Sequence, residues 1–402
     1  MADSPHATPT ADPADAPRMV PTWALLGVTW LNSLGSGILW SGVPFVAERQ
    51  YGFSERQNLA LALAESAVYV VVALRSGPML RALGERTGLT PRAWLGAILM
   101  LQAAASVLAL AGAWGVVVAG LVISAAGAAF WPVMESYVSS GRHGRSMRRA
   151  LGAFNVTWMS ATAVALLGMG PLVAAGHANL SLLALVPASL GAAAMLAAFP
   201  AAPAPHEPER AHAHLAPQYP YLLRATRWVL PTSYVFVSVL GPVLPYLVDG
   251  IGVDEGMRTP LASLWMFVRT ATVVALAYLS FWHGRWGAVA AGVVLLAGGF
   301  AAAALAPDAT TLALGLAAFG AGHGIIYYAG LYYAMAVGGA EVDAGGRFEA
   351  LIGAGYVVGP LAGLVGARSP SMLVGMTVAA AVTGLVPAVR AWHAWRTRQL
   401  VP

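Results

Sequence analysis

The sequence predicts an all-α polytopic membrane protein: twelve transmembrane helices arranged as two six-helix bundles. Three observations carry that expectation. Of 402 residues, 58% are hydrophobic and only 10% charged, with a mean hydropathy of +0.69, whereas soluble domains carry roughly a quarter charged residues. Twelve apolar stretches recur along the chain, and a bilayer crossing needs about 20 mostly apolar residues. One polar, Pro- and His-rich segment then divides the twelve into six and six.

The first six stretches are Trp23 to Ala47, Leu59 to Leu80, Ala93 to Gly112, Trp114 to Val138, Ala150 to Ala174 and Asn179 to Phe199. The second six are Trp228 to Val248, Leu261 to Trp282, Gly287 to Ala306, Thr311 to Val337, Phe348 to Ala367 and Met372 to Val389. The expected organisation is a disordered tail at 1–21, a bundle at 22–199, a linker at 200–220, a second bundle at 221–390 and a tail at 391–402. His206, His212 and His214 sit in the linker, where a solvated tether outweighs a weak metal site.

All 22 basic residues are Arg. Seventeen fall at one end of the predicted helices, four (Arg49, Arg56, Arg258 and Arg368) at the other, and Arg269 falls within a helix. The positive-inside rule makes the Arg-rich end cytoplasmic, with both termini and the linker on that side. The acidic start, with Asp3, Asp12, Asp15 and only Arg18, lacks the basic region of a cleaved signal peptide. Inner-membrane placement in the lipid bilayer and a monomer are expected.

Composition also excludes chemistry. With no Cys there is no thiolate nucleophile, zinc-thiolate site or iron–sulfur cluster. With no Lys there is no phosphate-loop lysine. Neither a His-Glu-x-x-His helix nor a Gly-x-Ser-x-Gly elbow occurs. No enzyme activity, cofactor, metal or nucleic-acid partner is expected.

The halves echo one another. Leu59-Ala60 and Val72-Ala73-Leu74 match Leu261-Ala262 and Val274-Ala275-Leu276 at an offset of 202, and Trp131 and Tyr137 match Tyr327 and Tyr333 at 196. Arg86-Thr87-Gly88 after the second stretch parallels Arg285-Trp286-Gly287 after the eighth. Parallel repeats of this kind characterise transporter halves.

Six plus six helices, a cytoplasmic linker and these Arg-x-Gly turns resemble the major facilitator superfamily of secondary transporters over nearly the whole chain. Its loop signature G-x-x-x-D-R-x-G-x-R-R is similar to Arg81-Ala82-Leu83-Gly84-Glu85-Arg86-Thr87-Gly88-Leu89-Thr90-Pro91-Arg92, with Arg81 in place of the leading Gly. The resemblance makes Glu85, Arg86 and Gly88 candidates for an inter-bundle latch; a basic turn with a helix-stopping Gly is the alternative. Gly170-Pro171-Leu172-Val173-Ala174-Ala175 partly matches the G-P-x-x-G-G signature of antiporters, while the family's proton-coupling Arg is replaced near Leu121. In Gly355-x-x-x-Gly359-Pro360-x-x-Gly363, Gly359 and Pro360 serve either close helix packing or bending during gating.

Ionisable groups at membrane depth are costly and point to function or to a partner. Glu65 lies roughly 12 Å into its helix at 1.5 Å per residue, and Arg269 lies at comparable depth, so the two can form an ion pair or meet substrate. His323, within Gly320-Ala321-Gly322-His323-Gly324, suits proton relay or a structural hydrogen bond. Glu135 serves an inner gate or meets Arg142 and Arg145. Asn32, Asn155, Trp131, Trp158, Tyr327, Tyr328 and Tyr332 complete the candidates for substrate contact; Tyr328 and Tyr332 share a helix face. Trp23, Trp282 and Trp395 are expected at the membrane interface.

The resulting expectation is a secondary transporter moving a small amphipathic or anionic organic solute by alternating access, coupled to protons. Sugar or metabolite uptake is the alternative within transport, requiring polar groups near Asn32, Asn155 and Tyr328. A non-transporting receptor or assembly factor on the same fold is the alternative outside it.

Overall fold

The computed structural model describes residues 19–142, 144–204, 216–337 and 342–398; residues 144, 145, 148, 335–337 and 342–348 enter only through their backbone. Residues 1–18 of the tail expected at 1–21, and the linker histidines, lie outside the described residues.

The first helix, α1, runs Thr22–Gly37, passes through a π-helical turn at Ile38–Gly42 and continues as Val43–Tyr51. It is followed by α2 (Glu55–Thr87), α3 (Pro91–Val107, tightening at Leu108–Ala111) and α4 (Ala113–Ser139). The first half ends with α5 (Gly144–Gly168, then a short turn Gly170–Ala174) and α6 (Leu180–Leu183, Leu185–Met195 and Leu196–Ala198). The second half comprises α7 (Tyr219–Gly250), α8 (Glu255–Tyr278), α9 (Trp286–Ala304), α10 (Ala309–Val337), α11 (Val342–Gly366) and α12 (Pro370–Arg398). Eleven helices are individually long and apolar enough to cross a membrane, and the π turn interrupts the twelfth.

Local chemistry sets these boundaries. Ser54 and Gln57 form a reciprocal capping box that starts α2 at Glu55, four residues before the apolar run begins at Leu59. Gly88 ends α2 in the left-handed conformation, φ 70°, which only Gly adopts without strain. The Gly of the signature loop is therefore a helix stop. Its supposed echo differs: Gly284, φ 70°, makes the turn after α8, and Arg285 to Gly287 already begin α9.

Several expected limits shift. The tail assigned to 391–402 is helical through Arg398, because the amphipathic end of α12 continues past its apolar core. Residues at the start of the linker dock on the first bundle: the Tyr137 hydroxyl donates to the carbonyls of Pro200 and Ala201 at 3.0 and 3.1 Å, and α7 begins at Tyr219.

Packing repeats with a six-helix offset. The pairs α1·α5, α1·α6, α2·α4 and α3·α4 recur as α7·α11, α7·α12, α8·α10 and α9·α10. The halves meet along two seams that this symmetry exchanges, α2 against α11 and α5 against α8. Apolar side chains gain little by leaving lipid for one another, so close backbone approach supplies much of the cohesion. Gly355 and Gly359 let α11 lie on α7 at Pro231, Tyr234, Val235 and Ser238, and Gly363 meets Leu59 of α2. In this conformation the Gly359-Pro360 stripe packs, and α11 is one continuous helix through Pro360.

The end opposite the Arg-rich one is closed by contacts between halves. Arg49 pairs with Glu255. The Tyr246 hydroxyl of α7 donates to the Phe53 carbonyl at 2.7 Å and accepts from Asn58 Nδ2 at 2.9 Å. A Cβ on Gly170 would fall 2.7 Å from the Gly256 carbonyl oxygen, so α5 and α8 also touch there.

Candidate functional site

A cavity enclosing about 780 Å³, its open mouth included, lies between the bundles and extends from the middle of the helices toward the Arg-rich end. From the first half it is lined by Trp40 on the π turn of α1, by Tyr69, and by Trp131, Glu135 and Trp158; Tyr234, Trp265, Arg269, Tyr327, Glu349 and Tyr356 line it from the second. Trp40 stacks on Tyr356 at a centroid distance of 4.5 Å and 13° between planes, which joins the bundles across the cavity. A π turn commonly marks a functional site; here it coincides with the Trp40 lining position.

Arg269 is 4% exposed. Its guanidinium lies 4.8 Å from the Trp158 ring and 5.0 Å from the Trp265 ring, and Nη2 donates to the Thr162 hydroxyl at 3.1 Å. Cation–π contact offsets part of the cost of burying the charge. Nε has no hydrogen-bond partner among the described residues, and no carboxylate there pairs with Arg269.

Glu349, 8% exposed, accepts a hydrogen bond from the Tyr69 hydroxyl across the α2–α11 seam. Glu135 of α4 lines the same cavity. Neither acid has an ion-pair partner among the described residues.

The ion pair between Glu65 and Arg269 allowed by depth is not formed. Glu65 points at Gly120 of α4, where a Cβ would overlap its Oε1 atom, and it borders a separate, smaller cavity with Asn58 and Ser238. Arg269 belongs to the opposite seam. Depth along each helix matched, but the helices stand on different sides of the molecule.

Other sequence candidates divide the same way. Trp131, Trp158, Tyr327 and Glu135 line the cavity. Asn155 stands behind its wall, where Oδ1 accepts from Tyr327 Oη and Trp158 Nε1, both at 2.8 Å. It orients two lining rings, one from each bundle. His323 is fully buried against the edges of Tyr234 and Trp265, and neither ring nitrogen has a hydrogen-bond partner among the described residues. Asn32 is 2% exposed within the first bundle and does not line the cavity.

Tyr328 and Tyr332 also lie away from the cavity, in an aromatic cluster with Tyr219, Trp282 and His283 that closes the Arg-rich end of the second bundle. Trp282, expected at the membrane interface, is 1% exposed at the centre of that cluster, with its indole N–H bonded to the Leu276 carbonyl at 3.0 Å. Trp23 is 63% exposed, and Trp395 packs on Trp286. Glu85 and Arg86 are exposed, and Glu85 has no ion-pair partner among the described residues.

Sequence reasoning missed Glu349, Tyr69, Thr162, Tyr234, Trp265 and Tyr356. Two were within reach: Trp265 precedes Arg269 by four residues, one helical turn, and Glu349 is an acid opening an apolar run.

A helical membrane protein of two pseudo-symmetric bundles, sealed at one end and enclosing a charged aromatic cavity toward the other, has the build of a secondary transporter. Residues 25–344 match the Major Facilitator Superfamily, and the chain belongs to it. Among solved structures it resembles the inward-facing, unoccupied form of a bacterial homolog of the human lysosomal transporter Spinster, with TM-score 0.64, 15% identity and coverage of 92% of this chain and 94% of that one. The nucleoside transporter NupG is similar as well, with TM-score 0.64, 13% identity and coverage of 93% and 98%. Identities this low show a common fold. No curated protein sequence matches the chain.

Proposed function

We propose that the protein moves a small aromatic or amphipathic organic solute bearing an anionic group across the inner membrane, by alternating access around the central cavity and coupled to protons. The observation that carries this reading is Arg269: a buried guanidinium facing a cavity between bundles, held by two Trp faces and lacking a carboxylate partner among the described residues. Such a group favours an anion, and a planar guanidinium can hold a carboxylate by two hydrogen bonds.

The positive-inside rule supports a cytoplasmic Arg-rich end, and on that reading the conformation is inward-facing. Buried carboxyl groups without counter-charges among the described residues support proton coupling. Glu65 is the first candidate for the proton, 3% exposed with Oε1 unpartnered among the described residues. Sugar uptake is disfavoured by the positions of Asn32, Asn155 and Tyr328, which offer no converging free polar groups in the cavity.

The test is substrate-induced proton movement in proteoliposomes. Aromatic anions should move protons with the wild type; Glu65→Gln should abolish coupling while exchange persists, and Arg269→Ala should abolish transport of anionic solutes. Unchanged transport in both variants refutes the assignment of these residues.

A further inference from the structure

The two seams give the cavity opposite electrical ends. On the α5–α8 seam stands Arg269, with Thr162 and Trp158 supplied by α5. On the α2–α11 seam stands Glu349, held by Tyr69 of α2, and Glu135 of α4 lines the same cavity. All line the same cavity. One cation and two carboxyl groups thus face a common space, and among the described residues they are not paired with one another.

A polar group buried without a partner is costly, and a charged one more so. If the protein neutralised its own cavity charges, Arg269 would pair with one of the acids and the cavity would present aromatic faces alone. Instead Arg269 is fixed by rings and a neutral hydroxyl, and Glu349 by a phenol. These contacts orient each group, and among the described residues none of them supplies an opposite charge.

From this we infer that the ligand of the cavity is amphoteric: an aromatic molecule whose anionic group seats on Arg269 and whose ammonium group seats on Glu349 and Glu135. Trp40, Trp158 and Tyr356 provide flat apolar surface for the body between them. This inference deepens the transport reading and rests on the same cavity being the substrate site.

Three indole probes separate the charges: tryptophan carries both, tryptamine only the ammonium and indole-3-propionate only the carboxylate. Calorimetric titration of the full chain in nanodiscs should show tryptophan binding at least about tenfold tighter than either single-charge probe, the scale of one charge-assisted hydrogen bond. Arg269→Gln should weaken tryptophan to the level of tryptamine and leave tryptamine unchanged, which also certifies the fold of the variant. Glu349→Gln should weaken it to the level of indole-3-propionate and leave that acid unchanged, with Glu135→Gln acting in the same direction. Arg269→Lys, retaining the charge, should fall between wild type and Arg269→Gln.

The inference is overturned if a single-charge probe binds wild type as tightly as tryptophan, if no probe binds at millimolar concentration, or if the variants leave the order unchanged. Tryptophan counterflow in proteoliposomes separates the two readings. The expected binding order without counterflow retains the amphoteric site and refutes transport, whereas counterflow of an anion with no preference for tryptophan does the reverse.

Discussion

Replacing Tyr246 by Phe removes one hydroxyl and almost no volume from the seal opposite the Arg-rich end. That hydroxyl donates to the Phe53 carbonyl and accepts from Asn58 Nδ2, joining α7 to the first bundle twice. Asn58 retains its other bond, to the Pro44 carbonyl at 3.0 Å, so the fold of α2 should persist. Each hydrogen bond contributes a net 0.5–1.5 kcal/mol or so, and losing both should weaken the seal by about 1–3 kcal/mol. In a two-state equilibrium this multiplies the outward-open population by about 5- to 150-fold. The Arg49–Glu255 pair, with side chains 38% and 37% exposed, offers a contrast: exposed pairs contribute about 0–1 kcal/mol, so Glu255→Gln should shift the ratio less than about fivefold. The chain has no Cys, which permits spin labels at Ala111→Cys and Thr310→Cys, both exposed on the sealed end. Double electron–electron resonance should show a longer-distance population that grows with Tyr246→Phe and much less with Glu255→Gln. Identical distance distributions for Tyr246→Phe and its parent would refute the assignment of the seal to these two bonds.

Adjacent glycines in α9 should respond oppositely to Ala: Gly299→Ala would drive a Cβ into the α10 backbone at Phe319 and Gly315 and lower thermal stability by about 1–3 kcal/mol. Gly298→Ala meets nothing within 4 Å and should be neutral or slightly stabilising in the same melting assay. Asn155→Ala removes the shared acceptor of Tyr327 and Trp158, and a titration should show ligand affinity falling about 5- to 30-fold while the melting temperature changes less than in Gly299→Ala. In the turn after α8, burial pushes the His283 imidazole below its ordinary value. The unfolded chain therefore binds the extra proton first, so the contribution is complete above about pH 6.5 and is lost as pH falls through the lower, folded value. Melting temperature should drop between pH 7.5 and pH 5 in the wild type and drop less in His283→Gln, whose equal pH dependence would count against the sign.

The residues that were easy to read and those that were not differ in kind. Glu65 and Arg269 stand out because a charge inside an apolar run is costly wherever the helix ends up. Their pairing was not legible: sequence fixes depth along a helix, while the face and seam that each occupies follow from which helices pack together. Tyr328 and Tyr332 show the same limit, since an i, i+4 pair defines a face without saying what covers it. Tyr327, one position away, reaches the cavity and bonds Asn155 of the other half. The signature Gly88 was legible as a stop and is one; its echo shifted to Gly284 because turn geometry, not motif spacing, selects the left-handed position.

Composition, apolar run lengths and the internal echo were enough for twelve helices in two related halves, because crossing lipid obliges each segment to satisfy its own backbone hydrogen bonds as a helix. That constraint acts locally and is written residue by residue. The division of charge across the cavity, with Arg269 on the α5–α8 seam and Glu349 beside Glu135 on the other, is not written that way. It arises when segments far apart in sequence are brought together by glycine-mediated backbone contact and aromatic packing, and the distances across which charges meet are properties of that assembly alone.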